Sequence, residues 1–246
     1  MIYKFHGQYT EEDKKSFQKA QEEDIAKIIK YLNTGSTRLN KIQYKIYDSA
    51  KKKQTADPNH SISKASARYH EFAIYRFWTR KEDPHFPHEI THLVTHTWAR
   101  PYIWQVELDT ADGKRVTKKI EMLSTSFIQE GLSIAVDDIV FRRKLLDEEE
   151  LKTIDDWCRS ANQTFPELID CINFEGFASF ENKLIVPFSA SLSKYLLVKF
   201  GLRKFKKMYT NLKETNSPPI NISIIEGVYS MKADKLIKLW KHSIDI

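Results

Sequence analysis

The chain has 246 residues, of which 41% are hydrophobic and 29% are charged, and its formal net charge is +6. This length and composition permit a domain with a buried core and exclude a largely disordered chain. The sequence contains no apolar run of the ~20 residues that a membrane-spanning helix requires. The basic residues are spread among acidic ones along the chain, so we assign them to solvated helix faces and do not expect a nucleic-acid partner.

The first residues of the chain bear on its location in the cell, and its two cysteines bear on metal and disulfide sites. The first residues, MIYKFHGQYTEEDKK, contain no apolar signal segment, so we expect a cytoplasmic protein. A trimmed form of a secreted protein would have the same sequence. The two cysteines, Cys158 and Cys171, form neither a CxxC metal-binding pair nor a disulfide framework, and we expect two buried thiols.

The N-terminal part of the chain combines helix and strand patterns. Residues 10–33 predict an amphipathic helix, with Thr10 and Asp13 as its capping box. Residues 41–47 (KIQYKIY) alternate between apolar and polar side chains as a strand does. Residues 67–78 (ARYHEFAIYRFW) are rich in aromatic and branched side chains, and they predict a second, longer strand.

From Pro87 onward the pattern becomes mainly helical. The residue before a proline disfavours the helical conformation, so we expect a helix to begin at Pro87 and to run to about residue 96. Residues 106–121 predict a β-hairpin that turns at Asp112-Gly113. Further helices are predicted at about residues 122–144, 147–160, 187–200, 202–213 and 231–243. Because the strands precede the helices, the sequence predicts an α+β fold with a boundary near residues 100–120.

The motif that carries chemistry is HEITH at residues 88–92, an HExxH pattern on the predicted helix. Residues i and i+4 lie on one face of a helix, so the imidazoles of His88 and His92 can bind one zinc ion. Glu89 projects from an adjacent part of this face, where it can accept a proton from a zinc-bound water. The helix dipole favours its ionised form. The alternative is two histidines on a helix face beside a surface glutamate.

A catalytic zinc requires a third protein ligand and an open position. Glu130 is the preferred candidate, because it interrupts an apolar helical stretch and is followed by Gly131, which would let another helix or the ion approach closely. His96 extends the histidine row, but one straight helix cannot place three ligands around an ion, and we expect a packed or supporting residue. Asp137 and Asp138 are the remaining candidates, and solvent exposure explains both.

HEITH and FIQEGLS (residues 127–133) together resemble the gluzincin metallopeptidases, whose paired motifs are HExxH and (W/F)xxEGxA. This superfamily includes thermolysin-like, aminopeptidase N-like and bacterial peptidase MA-like proteins. Residues 184–201, which continue into LRKFKKMYTNL, are similar to the helix pair that follows the site in this family. Residues 224–244 are similar to its closing segment, which has a tryptophan in the last helix. The resemblance covers roughly residues 20–244, and the two site motifs are its most specific part.

The resemblance implies a single zincin-like metallopeptidase domain over residues 1–246, with a small N-terminal mixed sheet followed by a mainly helical half. Its parts would be an α/β part (about residues 1–100), a hairpin insert (about 104–121) and a helical part (about 121–246). Residues 67–78 would be the edge strand that pairs with an extended peptide or protein substrate. The resemblance also implies one zinc ion per chain, with His88, His92 and Glu130 as ligands and Glu89 as the general base.

One position departs from the family pattern. Aminopeptidase-type gluzincins stabilise the oxyanion with the tyrosine of a V-P-Y segment, but the matching segment here ends in Phe188. A phenyl ring donates no hydrogen bond, and losing one such donor lowers the rate by ~10²–10³-fold. Tyr195, Tyr229 or His70 would be substitutes, although each is by default a packing or surface residue. The sequence therefore predicts a zinc-dependent peptidase, with a catalytically impaired gluzincin-like module that binds zinc or a protein partner as the alternative.

A nucleic-acid-binding protein is a third hypothesis. Its strongest patch would combine lysines and aromatic residues of one segment: Lys204, Phe205, Lys206, Lys207 and Tyr209. A solvated amphipathic helix explains this patch equally well. The sequence contains no GxSxG, GxxxxGK[ST] or GxGxxG motif, so no other catalytic pattern competes with HExxH.

Overall fold

A computed structural model describes residues 1–35, 41–58, 63–109, 115–142, 145–147, 150–161 and 165–246. Its elements are, in chain order, β1 (Ile2–His6), α1 (Glu11–Leu32), β2 (Gln43–Tyr47), α2 (Ala50–Ala56), β3 (Ala65–Arg68), β4 (Ala73–Phe77), α3 (Pro87–Thr95), β5 (Tyr102–Asp109), β6 (Arg115–Met122), α4 (Ser126–Phe141), β7 (Leu145–Asp147), β8 (Glu150–Lys152), α5 (Ile154–Ser160), α6 (Leu168–Cys171), α7 (Phe174–Ser179), α8 (Asn182–Phe200), α9 (Leu202–Asn211), α10 (Pro218–Tyr229) and α11 (Ala233–Ser243). The predicted α+β class is confirmed. The chain divides into two compact units, Met1–Thr97 and Trp98–Ile246.

The first unit is built on a four-stranded mixed sheet with the order β1-β2-β4-β3. Strands β1, β2 and β4 are parallel, and β3 is antiparallel to β4. Parallel neighbours require a crossover connection, and α1 supplies it between β1 and β2. The strand predicted at residues 41–47 is confirmed as β2, whereas β1 was not predicted from the sequence.

Helix α1 agrees closely with its prediction. Its capping box is formed: the Asp13 carboxylate accepts from the Thr10 backbone N–H at 2.8 Å, and the Thr10 hydroxyl accepts from the Asp13 N–H at 3.1 Å. The apolar side of the helix covers the sheet. There the fully buried Phe17 ring makes edge contacts with Phe5 and Tyr44, at centroid distances of 5.8 and 6.2 Å.

The prediction of one long strand at residues 67–78 is wrong. This segment forms the hairpin of β3 and β4. Of these two strands, β3 lies at an edge of the sheet, whereas β4 pairs with both β2 and β3. The chain reverses at Phe72, which has a φ of +51°. Aromatic residues seldom adopt this left-handed conformation, and turns usually carry Gly, Asn, Asp or Pro instead. The sequence therefore gives no sign of the reversal.

The second unit begins with the predicted hairpin, which is present as β5 and β6. Its predicted turn at Asp112-Gly113 lies outside the described residues. Most of the helical predictions are confirmed, but two boundaries are wrong. The segment 147–160 ends in α5, which begins only after its capping residue Thr153, and β8 precedes it. Helix α8 begins five residues before the predicted start, so Pro187 lies inside it.

Helices α4 and α8 pack against each other in the core of the second unit. The core also contains Trp240 of α11, which is fully buried against Phe188 and Phe165. Both cysteines are free and buried, as predicted. Among the residues that the structure describes, no helix has the length and apolar character needed to span a bilayer.

Candidate metal centre

Helix α3 carries the HEITH motif and is part of the core of the first unit. Pro87 occupies its first turn, as predicted, and three of its side chains, Ile90, Leu93 and Val94, are fully buried. Helix α3 contacts α1, β3 and β4. Because one face of α3 is fixed in this way, the direction in which the histidine face points is also fixed.

The two histidines of the motif meet through the same ring atom. The Nε2 atoms of His88 and His92 lie 3.2 Å apart, and the two rings are nearly perpendicular, at 78°. His92 is buried, with 6% of its surface exposed, whereas His88 is half-buried. The predicted i, i+4 arrangement is therefore present, with both nitrogen atoms directed at one small region.

Glu89 lies between the two histidines in sequence and is half-buried. It is the acidic residue of the first turn of α3. The aligned peptide dipoles of a helix give its N-terminus a partial positive charge, which favours a negatively charged side chain in the first turn. This is the protonation state in which a carboxylate can act as a base.

Glu130 lies on α4, where the neighbouring side chains Phe127, Ile128 and Leu132 are buried and Glu130 itself is half-buried. One carboxylate oxygen of Glu130 and one ring nitrogen each from His88 and His92 lie within 4.8 Å of one another. Two imidazoles and one carboxylate are a donor set found in catalytic zinc sites, so these residues fit the metal that the resemblance implies. No family model, curated protein or solved structure matches the chain.

Two of the other candidate ligands of the sequence, His96 and Asp138, have structural roles. His96 caps the C-terminal end of α3, and its ring stacks on Tyr69 at 6.1 Å and meets the edge of Phe72 at 5.7 Å, so the expectation of a packed residue holds. The interpretation of Asp138 as a solvent-exposed residue is wrong. Its carboxylate lies 2.7 Å from the Lys194 ammonium, and 12% of its side chain is exposed.

The structure shows where Phe188 lies, at the position where the resemblance implies an oxyanion donor. Its ring is fully buried, and it contacts Trp240 at 4.9 Å and both Phe127 and Phe165 at 5.2 Å. Phe188 is therefore a core residue of the second unit. Of the suggested substitutes, Tyr229 is also buried, with its ring against Phe200 at 5.0 Å.

The remaining substitutes differ in exposure. The His70 side chain is 59% exposed and lies 3.6 Å from a Glu71 carboxylate oxygen. Tyr195 is half-buried and contributes to a cavity of about 340 Å³ in the second unit.

The aromatic members of the basic patch on α9 are not available for stacking on bases. Phe205 and Tyr209 are both fully buried. The Lys206 ammonium lies 5.6 Å from the ring centre of Trp98, so part of this patch covers an indole. These contacts favour the interpretation of α9 as an amphipathic helix with a solvated basic side.

Sequence reasoning missed a set of polar residues that hold the chain just before α3. Asp24, Gln21 and Arg76 are buried, with at most 3% of each residue exposed, and all three contact residues 83–86. A signal was present, because Gln21 and Asp24 occur at the helical spacing of the buried residues of α1. A polar side chain on an apolar helix face requires a partner, and this could have identified both.

Proposed function

We propose that the chain is a zinc-dependent metallopeptidase in which His88, His92 and Glu130 hold one zinc ion. The observation that carries this proposal is the 3.2 Å separation of the two histidine Nε2 atoms. Two nitrogen ligands at Zn–N distances of 2.0–2.1 Å and a tetrahedral angle are about 3.3–3.4 Å apart. The two Nε2 atoms thus have nearly the separation that two ligands of one zinc ion require.

The third ligand supports the same proposal. The proximity of Glu130 to both imidazoles would complete a set of three ligands and leave a fourth position open. His88 and Glu130 are half-buried, and His92 contributes from a more buried position. When bound in such a site, zinc lowers the pKa of a coordinated water to about 7 and polarises a carbonyl group.

Glu89 supplies the proton transfers in this proposal. Its ionised carboxylate accepts a proton from the water that attacks the peptide carbonyl carbon. It then returns this proton to the amide nitrogen as the C–N bond breaks, so that one carboxyl group serves first as a base and then as an acid. The location of Glu89 in the first turn of α3 supports the first step, because the helix dipole stabilises its negative charge.

Phe188 favours a second candidate, a gluzincin-like module that binds zinc or a protein partner without efficient catalysis. The ring is enclosed by Phe127, Phe165 and Trp240 and offers no donor to an oxyanion. Without such a donor, a peptidase would be slower by ~10²–10³-fold. As a zinc-binding module, this candidate shares the zinc site with the peptidase and differs from it in turnover.

Metal analysis tests the part that both candidates share. We expect about one zinc per chain, removable by a chelator, and a large loss of zinc in the His92→Ala variant. His242→Ala is the matched control, because His242 is exposed and lies outside the ligand group. A wild-type protein that binds no zinc, or a His92→Ala variant that binds it as tightly as wild type, would contradict the proposal.

Peptide cleavage then separates the two candidates. Wild type and Glu89→Gln are compared on a mixed peptide library, with Glu23→Gln, an exposed residue of α1, as the control. Cleavage that is lost in Glu89→Gln and retained in Glu23→Gln supports the peptidase. Zinc that is retained without any Glu89-dependent cleavage supports the non-catalytic module.

A further inference from the structure

Three side chains of the first unit hold the four residues that lead into α3. Gln21 Nε2 and an Arg76 guanidinium nitrogen each donate to the Pro84 carbonyl oxygen at 2.6 Å. Arg76 donates a second hydrogen bond to the Asp83 carbonyl oxygen at 3.0 Å. The backbone of this segment is thereby attached to α1 through Gln21 and to β4 through Arg76.

Asp24 holds the last two residues of the same segment. One carboxylate oxygen accepts from the Phe86 backbone N–H at 3.0 Å, and the other lies 2.8 Å from His85 Nδ1. The Asp24 side chain is fully buried, whereas 32% of the His85 side chain is exposed. Phe86 is the N-cap residue of α3 and provides no side-chain cap of its own. The carboxylate of α1 therefore fixes the residue from which α3 starts.

Two physical arguments indicate that these contacts matter for the first turn of α3. A buried carboxylate on the apolar side of α1 is costly in free energy unless it is paired and hydrogen-bonded, so packing alone does not account for Asp24. In addition, α3 has only nine residues, and a helix of this length is not stable without tertiary contacts. The position and rotation of its first turn therefore depend on what holds its N-terminal end.

We propose that Asp24 is a positioning residue of the metal centre, which acts through the backbone of Phe86 on the first turn of α3 and so on His88 and Glu89. This inference rests on the zinc site proposed above. His88 and Glu89 follow Phe86 by two and three residues, so a shift of the N-cap displaces both side chains directly. His92 lies one turn further on, where the buried Leu93 and Val94 hold the helix.

The test compares Asp24→Ala and the conservative Asp24→Asn with wild type and with Asp57→Asn. Asp57 is an equally buried carboxylate of the same unit that binds Lys53, Ser66 and Arg68, so its loss affects stability away from residues 83–86. Zinc affinity is measured by chelator competition on the folded proteins. Absorption spectra of the cobalt-substituted proteins report ligand geometry, and hydrogen exchange of residues 86–90 is measured without metal.

We expect Asp24→Ala to lower zinc affinity by ~10–100-fold, the range known for residues that orient metal ligands. Asp24→Asn keeps one acceptor for the Phe86 N–H, so its loss should be smaller. Both should alter the cobalt spectrum and accelerate exchange at residues 86–90, whereas Asp57→Asn should change neither. If Asp24→Ala does not fold, Asp24→Asn provides the same comparison, together with Gln21→Ala, which removes the hydrogen bond to Pro84 and the packing of the buried Gln21 side chain.

The outcomes separate the two proposals. If wild type binds no zinc, the proposed function fails, and hydrogen exchange alone decides whether Asp24 orders the first turn of α3. If wild type binds zinc but the Asp24 variants match it in affinity, cobalt spectrum and exchange, the positioning role is overturned. Equal losses of affinity in Asp24→Asn and Asp57→Asn would also overturn it, because they would show a general effect of stability.

Discussion

A Cβ atom on Gly131 would lie 2.4 Å from the backbone carbonyl oxygen of Ser189. Helices α4 and α8 therefore approach each other closely beside Glu130, the proposed third ligand. Ser189 is fully buried, and the obstructing atom belongs to the backbone of α8. No side-chain rotation can make room for a methyl group there, so the two helices would have to separate.

Substitution of Gly131 by alanine should destabilise the protein. We expect a loss of about 1–3 kcal/mol in the free energy of unfolding, since overpacking of a well-packed core costs this amount and exceeds the gain in helix propensity. Gly227→Ala is the control, because a Cβ at Gly227 of α10 meets no atom within 4 Å and should stabilise by about 0.5–1 kcal/mol. Denaturant unfolding measures both, and equal effects would refute the close approach.

Substitution of Phe188 by tyrosine should not restore an oxyanion donor. The new hydroxyl would be buried among Phe127, Phe165 and Trp240, where we expect it to cost about 1–3 kcal/mol of stability. Peptide cleavage should not increase. Unfolding and cleavage assays on the same preparation check this, and a variant that gains turnover without losing stability would show that residue 188 faces the substrate.

Lys194 should contribute to stability because it neutralises two carboxylates. Its ammonium lies 2.7 Å from both Asp138 and Asp155, and it links α8 to α4 and α5. Because all three side chains are partly exposed, we expect Lys194→Met to cost about 1–3 kcal/mol, less than the loss of a fully buried partner. Lys183→Met, whose partner Glu181 is 71% exposed, should cost less than about 0.5 kcal/mol. Equal costs in denaturant unfolding would contradict this ranking.

Asp57 should make stability depend on pH in acid. Burial raises the pKa of its carboxyl group, but hydrogen bonds from Ser66 and Lys53 and the charge of Arg68 outweigh burial, and the net shift is downward. As the pH falls, the Asp57 carboxyl group therefore binds a proton in the unfolded state before it does so in the folded state. The ionised carboxylate stabilises the folded state fully above the unfolded pKa of about 3.9. This stabilisation is lost as the pH falls through the lower pKa of the folded state.

The Asp57→Asn variant lacks this titration. The difference in unfolding free energy between wild type and variant should thus shrink as the pH is lowered from about 7 to about 3. Denaturant unfolding at several pH values measures this difference. A difference that stays constant over the range would show that the Asp57 pKa is not lowered in the folded protein.

Local patterns predicted much of the fold. The capping box of α1, Pro87 at the start of α3 and the hairpin of β5 and β6 are each specified within a few neighbouring residues. The failures have local causes as well. The hairpin of β3 and β4 reverses at an aromatic residue, Phe72, and Pro187 lies inside α8 although the sequence suggested that it starts the helix.

At the candidate site, the sequence predicted the residues but not what holds them. The i, i+4 spacing of His88 and His92 follows from helix geometry, and the glutamate-glycine pair at residues 130–131 is visible in the sequence. The partners of Asp24 lie more than 60 residues away from it along the chain. The side chains that surround Phe188 also come from distant segments. Local spacing therefore predicts neither the partners of Asp24 nor the surroundings of Phe188.

The buried side of α3 has a consequence for metal exchange. Because Ile90, Leu93 and Val94 are fully buried, apolar packing holds the helix that carries His88 and His92. Structural zinc modules, in contrast, fold only when the metal binds. If the proposed site holds zinc, removal of the zinc should therefore leave the chain folded and able to bind zinc again, so that a chelator would inhibit the protein reversibly without denaturing it.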